Sequence, residues 1–100
     1  SILNIENSSF SNIGIGVTSK DGSQVSVFNT FIKNATLSPA MTFVKKSFYD
    51  TPTLNINNSV ISDWRPYIRQ KNTIMTINNV DVPETKISFN KLYETMVMAK

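Results

Sequence analysis

The sequence contains no cysteine and no histidine among its 100 residues. Without these side chains, disulfide bonds, thiol nucleophiles, imidazole bases and zinc sites of the usual nitrogen and sulfur type are excluded. Glycine and proline are scarce, with three and four residues, and no apolar run approaches the roughly 18 residues that are needed to span a membrane. Any chemistry therefore has to come from carboxylates, amines, amides, hydroxyls and aromatic rings.

The charge of the chain is modest, with ten Lys and Arg residues against seven Asp and Glu residues and a net charge of +3. This balance lacks the dense basic clustering of a nucleic-acid-binding protein. A hydrophobic content of 40% excludes an ordinary disordered chain, and the length suits one domain. The abundance of Asn, Ser and Thr favours short strands joined by tight turns over long helices.

One segment recurs with the pattern apolar-x-apolar-x-Asn-x-x-apolar-x-Asn/Asp/Glu. The alternating apolar residues predict a strand with one buried face. The asparagine predicts a sharp bend, because Asn enters the left-handed region more readily than other non-glycine residues. The next apolar residue then begins a second strand. The turn asparagines are separated by 22, 29 and 21 residues and lie at Asn7, Asn29, Asn58 and Asn79.

A third short strand is predicted in each copy, at residues 15–17, 41–43, 66–68 and 87–89. Three strands and three turns fit in about 20 to 25 residues, the length of one solenoid coil. Stacked coils would place equivalent residues in columns: an asparagine ladder at the four turns, an inner column of Ile5, Val27, Ile56 and Ile77, and another of Phe10, Ile32, Ile61 and Val82. Thr42 and Arg69 would point outward. A β-sandwich is the alternative, since regular turn spacing also suits that class.

This pattern resembles the right-handed parallel β-helix superfamily that includes pectate lyases and polygalacturonases, over residues 2–89. The resemblance implies an all-β solenoid of about four coils, the C-terminal coils of such a protein, over residues 1–90. Residues 91–100 are predicted to form a C-terminal cap. A helix is favoured there, because four apolar residues recur at helical spacing: Leu92, Tyr93, Met96 and Val97. A strand with alternating inward residues is the alternative.

In the pectate lyases and polygalacturonases that this pattern resembles, outward-facing acidic residues bind calcium or act as acid and base. The predicted outward columns of the third strands contain no carboxylate, so no catalytic residue, metal site or cofactor is predicted. Asp63 and Glu84 share a column and could bracket a cation, but polar residues at a strand end more often bond turn amides. The sequence favours a non-catalytic module, structural or glycan-binding, of a larger extracellular or cell-surface protein. The alternative is a fragment of a polysaccharide lyase or hydrolase whose active site lies upstream.

Two groups of side chains are candidates for binding polysaccharide. Aromatic residues outside the repeated core columns can stack on sugar rings: Phe48, Tyr49, Trp64 and Tyr67. Basic residues near the third strands can form a stripe that attracts an acidic chain: Lys20, Lys46, Arg69 and Lys71. Loop packing and a solvated face are the respective alternatives.

The edge of the first coil is expected to pack on upstream coils of the parent protein or on a second copy of the chain. Neither a nucleic-acid partner nor a membrane span is predicted.

Overall fold

The protein is described by a computed structural model that covers residues 2–35, 37–44, 50–63, 66–85, 91 and 94. Regular structure over residues 2–85 of this part consists of β-strands, so the all-β prediction is confirmed. The strands are β1 (Ile2–Glu6), β2 (Ser9–Ser11), β3 (Ile15–Lys20), β4 (Gln24–Phe28), β5 (Phe31–Lys33), β6 (Ser38–Phe43), β7 (Thr53–Asn57), β8 (Val60–Ser62), β9 (Ile68–Arg69), β10 (Ile74–Ile77) and β11 (Val80–Asp81).

The described strands form three sheets, and from β1 to β10 every third strand along the chain joins the same sheet, whereas β11 follows β10 in the first sheet. The first sheet has the order β1-β4-β7-β10-β11, the second β2-β5-β8 and the third β3-β6-β9. All neighbours pair in parallel except β10 and β11, which are antiparallel. We call each run of three consecutive strands, β1–β3, β4–β6 and β7–β9, a layer. The alternating repeat predicts the first and second strands of each layer, because one face of these strands is apolar.

The register of the first two sheets follows the predicted columns. In the first sheet the inner column contains Ile5, Val27, Ile56 and Ile77. In the second sheet Phe10, Ile32 and Ile61 align. Val27, Ile32 and Ile56 are almost completely buried and belong to the main apolar core. Columns of similar side chains therefore bury the inner faces of both sheets.

The third sheet differs from its predicted register. Val17 pairs with Ala40, and both belong to the main core, whereas Met41 pairs with Ile68 in a second apolar cluster. Because successive residues of a strand point to opposite faces, Thr42 lies on the core side and not outward as predicted. Thr42 is fully buried.

The predicted register of the third sheet is wrong because of β6, where all six residues are buried. A strand that is covered on both faces has no polar alternation to reveal its inner side, and a shift of one residue exchanges the two faces. The pattern of the neighbouring copies therefore did not determine its register.

The fourth copy of the repeat ends in a hairpin. Asn78 and Asn79 both have positive φ, 49° and 67°, and they form a two-residue turn between the paired residues Ile77 and Val80. Two left-handed residues are typical of a type I′ turn. The chain therefore returns along the first sheet, and the prediction that Val82 extends the second-sheet column is wrong, although Val82 packs against the main core.

Of the predicted cap at residues 91–100, the structure describes Lys91 and Glu94, both in α-helical conformation. The remaining cap residues lie outside the described residues. So does the third strand that was predicted for the fourth copy of the repeat, at residues 87–89. No helix in the described part of the chain is long and apolar enough to cross a membrane.

Candidate functional site

Each layer bends between its first and second strands at an asparagine in the left-handed region. The φ angles of Asn7, Asn29 and Asn58 are 51°, 53° and 49°. A non-glycine residue with such a φ is uncommon, and Asn tolerates it better than most because its short polar side chain can bond locally. The same bend recurs in three layers, so the turns stack along one edge of the molecule.

One bond between side-chain amides links two of these three turns. The Asn58 side-chain nitrogen donates to the side-chain oxygen of Asn29, which is one step of the predicted ladder. At the next turn the predicted ladder bond between Asn58 and Asn79 is replaced by bonds from Asn78 to the backbone of Ser59. The Asn78 side-chain oxygen accepts from the Ser59 amide at 3.2 Å, and its nitrogen donates to the Ser59 carbonyl at 3.1 Å.

A column of hydroxyls follows the asparagines, and the sequence analysis missed it. Ser8, Thr30 and Ser59 each occupy the position directly after the turn asparagine. Each hydroxyl donates to the carbonyl two residues before it, at 2.9, 3.2 and 2.9 Å. The recurrence of Ser or Thr at this position was the available signal, and it is lost at Val80, where the chain reverses.

Two adjoining shallow clefts lie over these stacked turns. One holds about 540 Å³ and is lined by Phe28, Asn57, Asn58, Ser59, Val60, Asn78 and Asn79. The other holds about 450 Å³ and is lined by Asn7, Ser8, Ser9, Asn29, Thr30, Phe31, Asn58 and Val60. Asn58 and Val60 line both clefts, so we treat them as one surface and call it the turn groove.

Two aromatic rings flank the groove on opposite sides of the turn. Phe28 ends β4 and is 46% exposed, and Phe31 begins β5 and is 38% exposed. Strand alternation explains both positions, because Val27 and Ile32 take the inward places beside them. These rings lie outside the repeated core columns, which was a usable signal that the sequence analysis overlooked.

The groove contains an acceptor without a partner. Asn57 is paired with Phe28 in the register of the first sheet, and its side-chain oxygen is buried with no hydrogen bond to the described residues. Buried polar atoms normally form hydrogen bonds. The Asn57 side-chain oxygen therefore has an unused capacity to accept one.

The lining of the groove carries no ionisable side chain. The strand pairing and the strand alternation place two residues of opposite charge beside the aromatic rings of the groove. Glu6 is paired with Phe28 across the first sheet, and Lys33 is two residues beyond Phe31 on the same face of β5. The groove is therefore close to neutral, with hydroxyls, amides and aromatic faces as its recognition groups.

None of the predicted site residues that the structure describes lines the groove. Tyr67 packs against the main core, and Lys20 and Lys71 are exposed at the end of β3 and in the turn after β9. Burial, and then the nearby charge of Asp63, raise the pKa of the Tyr67 hydroxyl. Phe48, Tyr49, Trp64 and Lys46 lie outside the described residues.

Arg69 pairs with Thr42 and so lies on the core side of the third sheet, not outward as predicted. Its guanidinium donates to the carbonyls of Val82 and Thr73, each at 2.6 Å. Arg69 pairs with Thr42, which pairs with Ser19, whereas Lys20 is on the opposite face of β3. The structure therefore does not bring Arg69 and Lys20 onto one face.

The polar residues that directly follow the second strands, among them Asn12, Asn34 and Asp63, bond one another and a turn amide. A side-chain oxygen of Asp63 accepts from the Ala35 amide at 2.6 Å, and the Asn34 side chain donates to that of Asn12 at 3.4 Å. Asp63 thus bonds a turn amide, as the structural interpretation of these residues expected. Among the described residues, no group of three or more Asp or Glu residues is placed to hold a metal ion.

Comparison of the chain with protein-family models, with curated proteins and with solved structures finds no match in any of the three.

Proposed function

We propose that the chain consists of coils of a right-handed parallel β-helix of the pectate lyase-like kind. The support is the topology, in which each strand of the first two layers, and β7 of the third, pairs in parallel with the strand three places later. The hand follows from a general rule, because crossovers between parallel strands of one sheet are right-handed in nearly all proteins.

We propose further that this coil stack is a non-catalytic, glycan-binding module of a larger extracellular or cell-surface protein. The observation that carries the proposal is the turn groove, where the exposed rings of Phe28 and Phe31 flank a row of side-chain amides and hydroxyls. Aromatic faces pack on the apolar face of a sugar ring, and amides and hydroxyls can both donate to and accept from sugar hydroxyls.

The proposal is tested by binding of the 100-residue chain to a panel of neutral and acidic polysaccharides, with affinity electrophoresis and calorimetry as readouts. We expect at least one polysaccharide to bind and the Phe28→Ala, Phe31→Ala double variant to lose that binding. Ile74→Ala is the matched control, since Ile74 is 49% exposed in the first sheet but does not line the groove. Absence of binding across the panel would overturn the proposal, as would equal losses in the double variant and the control.

A further inference from the structure

We infer that the turn groove selects a neutral polysaccharide chain over an acidic one and that the bound chain runs along the stacking direction. This inference rests on the proposed function and assigns the ligand class of the same site. Three features of the groove carry it: its charge, its unpaired acceptor and its length.

The charge of the groove is the first feature. No lining residue is ionisable, and the flanking Glu6 and Lys33 have opposite signs. The carboxylates of an acidic polysaccharide would lose hydration there without a surplus of cations to compensate. Lys20 and Lys71 follow strands of the third sheet, whereas the groove lies between the first and second sheets.

The unpaired acceptor is the second feature. Asn57 lines the groove, and its side-chain oxygen is buried without a partner among the described residues. The terminal torsion of an Asn side chain is soft, so a small rotation can turn this oxygen toward a ligand. A sugar hydroxyl can donate to it, whereas the carboxylate that replaces one hydroxyl in each unit of a polyuronic acid can only accept.

The length of the groove is the third feature. The lining residues extend from Asn7 in the first layer, through Asn29 and Asn58, to Asn78 after β10. Parallel strands are spaced at roughly 4.8 Å, which is comparable to one sugar unit of an extended glycan. Successive layers therefore offer equivalent amide and hydroxyl groups to successive sugar units, and a chain along the stack meets this repetition.

The test compares the affinities of cellohexaose and mannohexaose with that of a hexamer of galacturonic acid, at low and high salt. We expect a neutral hexamer to bind more tightly than the acidic one and its affinity to be unaffected by salt. Phe28→Ala should weaken that binding by about tenfold. Phe28→Leu keeps an apolar side chain without an aromatic face and serves if Phe28→Ala fails to fold. The Lys20→Ala, Lys71→Ala double variant should bind as the wild type does.

Three other outcomes are decisive. Tighter, salt-sensitive binding of the acidic hexamer that is lost in the lysine double variant would overturn this inference and leave the proposed function standing. Binding of a neutral hexamer that is unchanged in Phe28→Ala and Phe28→Leu would overturn the assignment to the groove. Failure of all three probes and of the wider polysaccharide panel would overturn both proposals.

Discussion

The hydroxyl of Ser59 accepts a hydrogen bond from the backbone amide of Thr30 at 3.0 Å, across a sequence separation of 29 residues. The same hydroxyl donates to the Asn57 carbonyl at 2.9 Å. Ser59 therefore satisfies a buried amide of the preceding layer while it closes its own turn. This double role links the local bend to the stacking of layers.

Ser59→Ala should lower the free energy of unfolding by about 1–3 kcal/mol, because it leaves the buried Thr30 amide without its acceptor. Ser59→Thr should restore most of the loss, since Thr30 already occupies this position in the layer before. Ser62→Ala, at an exposed residue of β8, is the control and should change little. Urea denaturation measures all three, and equal losses in Ser59→Ala and Ser62→Ala would contradict the role of the hydroxyl column.

Asn58 contributes both a left-handed turn and a ladder bond, and two substitutions separate these. Asn58→Gly keeps the φ of 49° accessible but removes the bond to Asn29, so a loss of about 0.5–1.5 kcal/mol is expected. Asn58→Ala keeps a Cβ in the left-handed region without the polar side chain that makes Asn tolerable there, and should cost about 1–2 kcal/mol more. Thermal unfolding of both variants gives the comparison.

The control for this pair is Asn4→Ala, at an exposed position in β1. The ladder would be refuted by an Asn58→Gly variant as stable as the wild type. An Asn58→Ala variant no less stable than Asn58→Gly would refute the conformational part.

Gly16 lies where β3 and β6 approach closely. A Cβ at this position would be 2.3 Å from the Pro39 carbonyl oxygen and 2.9 Å from a methyl group of Ile32. Because a backbone oxygen in a paired strand has little room to move, Gly16→Ala should cost about 3 kcal/mol or more. Gly14→Ala, at an exposed glycine outside the left-handed region, should be nearly neutral. Similar melting temperatures for the two variants would contradict the close approach.

The stability of the protein should fall at alkaline pH through Tyr67. Burial, with a smaller effect from Asp63, raises its pKa above the ordinary value of 10.0, so the folded state holds this proton more tightly than the unfolded state. The contribution is complete below the unfolded pKa and is lost as pH rises through the folded pKa. Above pH 10, Tyr67→Phe should therefore lose stability less steeply than the wild type in denaturant titrations. Parallel slopes would contradict the raised pKa.

The first layer presents a sheet edge. Each of β1, β2 and β3 pairs on one side only among the described strands. Leu3 is 52% exposed, although Leu54 and Met75 of the same column are almost fully buried. Unpaired edges template further strands. We propose that this edge packs on upstream coils of a larger protein or, in the 100-residue chain alone, on a second copy.

Light scattering of the chain should accordingly show a dimer that dissociates in Leu3→Lys. A face-to-face pair would form a closed two-fold contact, because the same strand edges of β1, β2 and β3 would meet in both copies. Ile74→Lys introduces the same charge at an exposed position of β10 and should leave the dimer intact. A monodisperse monomer at high concentration would argue against the contact.

The sequence by itself determined the order of the strands in the second sheet and, as far as β10, in the first sheet. Residues such as Ile5 and Val27 alternate with polar ones, and Asn7 and Asn29 mark the bends, so both signals are local. Repetition of the same signals then predicts stacking, because identical units pair most easily in register. The hydroxyls after the asparagines were equally local and could have been recognised.

Only the tertiary structure decided the register of β6, the reversal at Asn78 and Asn79, and the position of the groove. Thr42 and Met41 are both buried, so no polarity difference in the sequence distinguishes their faces. Whether a pair of asparagines continues a coil or makes a hairpin depends on the strand that is available to pair. The groove forms where the bends of successive layers stack, with Phe28 and Phe31 on its two sides. Such features depend on contacts between distant residues, which no local pattern contains.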